Sequence, residues 1–97
     1  MSNLHEYRLT LFITGGSPNS VRAINNLKSI CEKHLAGRYD LEVIDVYQNP
    51  ELATQEQIIA LPTLIKRLPD PVRRLVGDMS DTQKVLRGLG LKLNSGE

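Results

Sequence analysis

Apolar positions along this chain come in short bursts, and the spacing within each burst predicts its element. Leu9-Thr10-Leu11-Phe12-Ile13-Thr14 is β-branched and aromatic and stops at Gly15-Gly16, which predicts a buried strand ending in a turn. Ser17 then precedes Pro18: a hydroxyl can cap the open N–H groups of a helix, and proline fits the first turn without losing a needed donor. Val21, Ile24, Leu27, Ile30, Cys31 and Leu35 recur at helical spacing, and Gly37 supplies the stop. A second apolar run, Leu41-Glu42-Val43-Ile44-Asp45-Val46, completes a βαβ unit with parallel strands and a right-handed crossover.

The second half is patterned less decisively. Asn49-Pro50 repeats the cap-then-proline signal and predicts a short helix over 51–59 through Leu52, Ile58 and Ile59. Pro62 enters a run at Thr63-Leu64-Ile65, a turn follows at Leu68-Pro69-Asp70-Pro71, and Val72-Arg73-Arg74-Leu75-Val76 returns, so a hairpin is predicted. Ser80-Asp81-Thr82-Gln83 has the spacing of a capping box, placing Val85, Leu86, Leu89 and Leu93 on one helical face. The summed order is βαβαββα, an α/β fold in one domain. Two features compete with it. Gly88 and Gly90 each cost a helix interior roughly 1 kcal/mol relative to alanine, and Leu89, Leu91 and Leu93 alternate as a half-buried strand would. Val72 follows Pro71 closely enough to open a helix instead of a strand. From Pro50 onward the pattern supports more than one packing, and rare proteins do use two packings of one sequence.

Composition narrows the function. Twelve basic and eleven acidic side chains leave a formal charge of +1 in 97 residues, too weak a field to hold a nucleic-acid backbone or an anionic membrane. The single cysteine, Cys31, has no partner for an internal disulfide and reads as a buried reduced thiol of a reducing compartment. The polar start and the lack of any run near the ~20 apolar residues of a membrane span predict a soluble, cytoplasmic protein.

No catalytic constellation emerges. The order βαβαββα with a proline entering the third strand resembles the thioredoxin fold, whose redox chemistry needs Cys-x-x-Cys between the first strand and first helix. Here that place reads Gly16-Ser17-Pro18-Asn19-Ser20, and Cys31 is too far along the helix to substitute. A thioredoxin-fold redox enzyme is therefore the weaker alternative. Gly15-Gly16-Ser17 matches neither phosphate-binding glycine pattern, so a turn with a cap outweighs an anion site. Ser17 and Ser20 have no histidine in an identifiable arrangement and read as caps. His5 and His34 lack metal-ligand spacing, and Asp40, Asp45, Asp70, Asp78 and Asp81 are scattered, so neither a metal nor a cofactor is expected. Arg22, Lys66, Arg67, Arg73 and Arg74 remain as candidates for contacting a charged protein partner.

The strings Gly15-Gly16-Ser17-Pro18-Asn19-Ser20-Val21-Arg22-Ala23, Val43-Ile44-Asp45-Val46, Asn49-Pro50, Pro62-Thr63-Leu64 and Pro71-Val72-Arg73-Arg74-Leu75-Val76-Gly77-Asp78 closely resemble the KaiB family of circadian clock proteins, from about Tyr7 to Leu91. The resemblance implies a non-enzymatic adaptor of the N-terminal ATPase ring of a KaiC-type ATPase, which in cyanobacteria captures KaiA and competes with the kinase SasA. It also implies two folds: a resting homo-oligomer, dimer or tetramer, ordered βαββααβ, and a monomeric thioredoxin-like form that binds the ring. On that reading residues 9–46 stay fixed and 50–94 rearrange. Leu61–Pro62, Pro69 and Pro71 are then candidates for slow isomerisation, and Gly88 and Gly90 are tuning positions at which helix-favouring residues raise the thioredoxin-like population.

By position, the resemblance assigns partner contacts to Arg22, Arg73 and Arg74, and strand pairing with a partner to the second strand around Glu42 and Asp45. The chain departs from the cyanobacterial pattern at Glu42 and Gln57, where lysine is expected, at Gly90 and Leu93, where aspartate and tyrosine are usual, and in lacking an acidic tail. Those departures point to a KaiB-like protein of a reduced clock or stress system without KaiA. A stand-alone relative of the SasA sensor domain, binding the same ring without changing fold, is a further alternative.

Overall fold

A computed structural model describes residues 6–91. Its elements are β1 (Tyr7–Ile13), α1 (Pro18–His34), β2 (Tyr39–Asp45), α2 (Pro50–Gln55), β3 (Thr63–Leu68), β4 (Arg73–Val76) and α3 (Thr82–Gly88). They form one four-stranded sheet in the order β2-β1-β3-β4. β1 and β2 run parallel, as the helical crossover requires, and β3 is antiparallel to both β1 and β4. This is the thioredoxin-like arrangement. Val72-Arg73-Arg74-Leu75-Val76 enters the sheet instead of opening a helix, because β3 offers it a continuous ladder of partners from Thr63↔Val76 to Lys66↔Arg73.

β1 is central and buries both faces. Tyr7, Leu9, Leu11 and Ile13 point to one side, where they meet Ala23, Leu27, Ile30, Cys31 and Leu35 of the α1 layer, Leu64, and Val85, Leu86 and Leu89 at α3. Phe12 points the other way, onto Ile44 and Ile65, with Val46, Ile58 and Leu61 half-buried around it. The period of two in β1 thus supplies two cores from one strand.

α1 starts as its sequence predicts: Ser17 Oγ accepts from Ser20 N, and Pro18 occupies the first turn. Its inward stripe differs from the expected one. Ser20 and Ala23 are fully buried, whereas Val21 is 46% exposed. The small side chains at 20 and 23 let the helix settle closely on β1, which rotates the larger Val21 outward.

The second half departs further. α2 ends at Gln55 and buries none of its residues, and Gln57 turns into left-handed backbone (φ 56°), so the helix expected to reach Ile59 stops four residues early. Ile58 reaches the sheet from the following loop, while Ile59 is 97% exposed. At α3 the cap is Asp81, not Ser80: its carboxylate accepts from Lys84 N at 3.1 Å. Gly90 N–H bonds to Arg87 O and Leu91 N–H to Leu86 O, the paired bonds of a Schellman stop, with Gly90 at φ +80°. This stop, with Leu89 fully buried as the helix cap, decides against a strand through 89–91; Leu93 lies outside the described residues. The bonds before Pro62, Pro69 and Pro71 are cis. No helix among the described residues is long and apolar enough to cross a membrane.

Candidate protein-binding surfaces

The β1–α1 junction, where a thioredoxin-type dithiol would stand, holds a closed cluster of hydroxyls. Ser17 Oγ donates to Ser20 Oγ at 2.8 Å, and Thr14 Oγ1 lies 3.1 Å from Ser17 Oγ. Thr14 N–H donates to Ser20 Oγ at 3.0 Å. The hydroxyls at 17 and 20 therefore satisfy backbone donors at a helix start, and their high pKa provides no thiolate-like nucleophile. Cys31 lies eleven residues beyond Ser20, about 16 Å along the helix. It is fully buried, and that burial, with Glu32 adding to it, pushes the thiol pKa up to about 12. At neutral pH it stays a protonated, inert core group.

The basic candidates fall into different situations. Arg22, on α1, donates from Nε to Asp78 Oδ2 at 3.2 Å, and Asn26 Nδ2 donates to Asp78 O at 2.9 Å, so α1 grips the loop after β4. The Asp78 carboxyl is held below the usual aspartate range, first by Ser80 and then by Arg22. Arg67 joins Glu56 at 3.2 Å and donates to Thr10 Oγ1 at 3.0 Å. Arg74 Nη2 donates to Glu56 O at 2.6 Å and lies 3.8 Å from its carboxylate. Glu56 thus ties α2 to the β3–β4 hairpin. Lys66 cannot meet a partner in this arrangement: it is buried, and its ammonium donates to Pro69 O at 2.9 Å. Burial first, and Arg73 second, push its pKa down. Arg73 stands exposed on β4.

Glu42 is exposed on β2, and Asp45 turns its Oδ1 back to accept from Tyr47 N at 2.9 Å. β2 and β4 are the two outer strands, so Glu42 and Asp45 sit across the sheet from Arg73 and Arg74, three strand spacings or about 14 Å apart. The five sequence-predicted contact residues, with Arg22 on α1, are not gathered into one patch. Sequence spacing gave no sign of Glu56 and Asp78 as partners of the arginines, because the pairs are separated by 11 to 56 residues. Exposed Tyr47 (77%) and Ile59 were likewise unflagged as surface groups.

The two glycines near the end of α3 prove unlike each other, which corrects their shared reading as weak helix positions. A Cβ on Gly88 would come within 2.6 Å of Leu75 Cδ1, so alanine there gains helix propensity only if the Leu75 side chain turns away. Gly90 sits in left-handed backbone that terminates the helix, so an L side chain there costs about 1–2 kcal/mol and works against this arrangement.

Comparison with known proteins agrees with the order of elements and the motifs. The family model described as the KaiB domain matches residues 10–91. The KaiB circadian clock oscillator protein of Synechococcus elongatus is 54% identical over 91 residues, covering 94% of this chain and 89% of that protein. Its counterpart in Picosynechococcus is 55% identical over 85 residues, covering 88% and 82%. Among solved structures, the N-terminal domain of Synechococcus elongatus SasA superposes with a TM-score of 0.73 at 20% identity, over 98% of this chain and 92% of that one. Chloroplastic thioredoxin z gives 0.70 at 21% identity, over 87% and 78%. The fold is thus shared with thioredoxins while the thiol pair is replaced by serines, and the sequence places this chain in the KaiB family of circadian clock proteins.

Proposed function

We propose that this chain is a non-enzymatic regulatory adaptor of a KaiC-type clock ATPase, binding its N-terminal ATPase ring. The observation that carries the reading is the serine pair at 17 and 20: a thioredoxin-like scaffold of clock-protein sequence has given up dithiol chemistry, which leaves surface recognition as its work. Arg22, Arg73 and Arg74 offer guanidinium groups suited to carboxylates, and the β2 edge at Glu42 and Asp45 offers backbone pairing to a partner strand. KaiA or a SasA-like histidine kinase would be further partners.

Timing on this reading comes from a fold switch. Residues 9–46 stay in place, while the segment from Pro50 onward, carrying Pro62, Pro69, Pro71, Gly88 and Gly90, exchanges between the arrangement described above and a resting βαββααβ form assembled as a dimer or tetramer. If the ring selects the thioredoxin-like form, apparent affinity falls by that form's fractional population, and complex formation is delayed. The test is size-exclusion chromatography of this chain incubated with the KaiC-type ATPase of the same genome and ATP, sampled over hours. Slowly growing co-elution is expected; none at any time overturns the adaptor reading. Immediate co-elution favours a second reading, a ring-binding domain of constant fold, which the likeness to the SasA domain supports.

A further inference from the structure

Among the described residues, Lys66 is the one charged side chain that the fold buries, at 3% exposure. It stands two residues from Leu64 on β3 and so points to the same face of the sheet, the one that carries α3. β1 sets Leu9 beside it, β4 sets Arg73 on its other side, and a Cβ on Gly90 at the stop of α3 would lie 4.0 Å from its Nζ. Among the described residues no carboxylate forms an ion pair with it. Its hydrogen bond goes to Pro69 O in the 68–71 turn, and an ammonium has three donors. The cation nearest in register, Arg73, is a like charge directly opposite.

A buried charge without a counter-ion disfavours the state that buries it, and an apolar side chain of similar volume relieves the penalty. From this we propose that the Lys66 ammonium is a built-in release for α3: its charge works against seating the helix on the sheet, so α3 lifts more readily than its apolar contacts alone would allow. A clamp, in which the cation holds Pro69 O and the C-terminal end of α3 together, would have the opposite sign. Burial and Arg73 push the Lys66 pKa down, and Asp70 in the turn offsets them only in part, which favours release over clamp. In the adaptor proposed above, the same charge would keep the ring-binding arrangement scarce; that consequence rests on the fold-switch reading, whereas the release itself does not.

Methyl exchange NMR of the full chain tests this, with Val85, Leu86 and Leu89 reporting seated against lifted α3. Protein is kept dilute enough that the ratio no longer changes on further dilution, so assembly does not enter the readout. Lys66→Met is expected to raise the seated-to-lifted ratio roughly tenfold at neutral pH, and Lys66→Arg, which keeps the charge, is expected not to raise it. Because the folded pKa is lowered, the charge acts in full below that value and its effect is lost as pH rises from there into the ordinary lysine range, so the gap between wild type and Lys66→Met should close. Cys31 and Tyr39, each pushed up to about 12, titrate alike in both chains. A ratio unchanged or lowered in Lys66→Met, an equal rise in Lys66→Arg, or a gap that persists at high pH would each overturn the release. Capture by the KaiC-type ring separates the two readings: a raised ratio with unchanged capture rate supports the release and overturns the fold switch as the source of delay.

Discussion

The two halves of this molecule are held by different means. In the first, β1 buries both faces and α1 lays Ser20, Ala23, Leu27, Ile30 and Cys31 against it, so the unit is defined by continuous apolar packing. In the second, α2 buries nothing, α3 lasts seven residues and buries Val85 and Leu86, and β4 is four residues long with only Leu75 turned inward. Partly exposed charge contacts hold it in place: Arg22 to Asp78 ties it to α1, while Arg67 and Arg74 to Glu56 tie its own elements together. Packing scales with buried area, whereas exposed ion pairs contribute little. The contrast places α2, β4 and α3 at the low-stability end of the molecule, where local opening is drawn from, whereas β3, with Leu64 and Ile65 buried and paired to β1, belongs with the first half.

Three substitutions would break or sharpen that contrast. The largest effect is expected at Leu27, fully buried between α1 and β1. Leu27→Ala should cost about 3 kcal/mol in denaturant unfolding and lower protection in both halves together, because α3 rests on the same core. Loss confined to one half would show that the halves do not share it. Next is the α3 cap. Asp81→Ala should cost about 1 kcal/mol and speed amide exchange in 82–88 while β1 amides stay protected; equal acceleration in β1 would contradict separate stabilities. The smallest effect is at Asp78. Its folded pKa is depressed, so its contribution is present above the unfolded-state pKa and is lost as pH falls through the lower folded value. Asp78→Asn should flatten the acid side of the stability profile below the usual aspartate range while changing neutral-pH stability little. An unchanged acid limb would remove Asp78 from the contacts that hold the loop.

How much of this was legible in the sequence follows the same division. Strand β1, the Ser17-Pro18 start of α1, β2 and the proline-marked hairpin were readable because each is written in local terms: period, cap and turn chemistry. The inward stripe of α1 was misread at Val21, since helical spacing admits several faces and the sheet selects the one with small residues. The end of α2 was overrun for a related reason: Ile58 and Ile59 look alike in sequence, yet one reaches Phe12 and Ile65 and the other faces solvent. Of the surface candidates, Arg22, Arg73, Arg74 and Glu42 are indeed exposed, whereas Lys66 is buried. A lysine beside a β-branched run carries no mark that says which it will be.

By itself, the sequence determined the βαβ order of the first half, the serines standing where a dithiol would, and, through strings spread along nearly the whole chain, the KaiB family. Those are properties of residue type and spacing. Only the tertiary structure decided which arginines meet Glu56 and Asp78, that Gly90 ends a helix while Gly88 lies against Leu75, and that Lys66 is buried against the end of α3. Each of these joins residues that are distant along the chain, and their contact exists only once strand pairing has fixed the register.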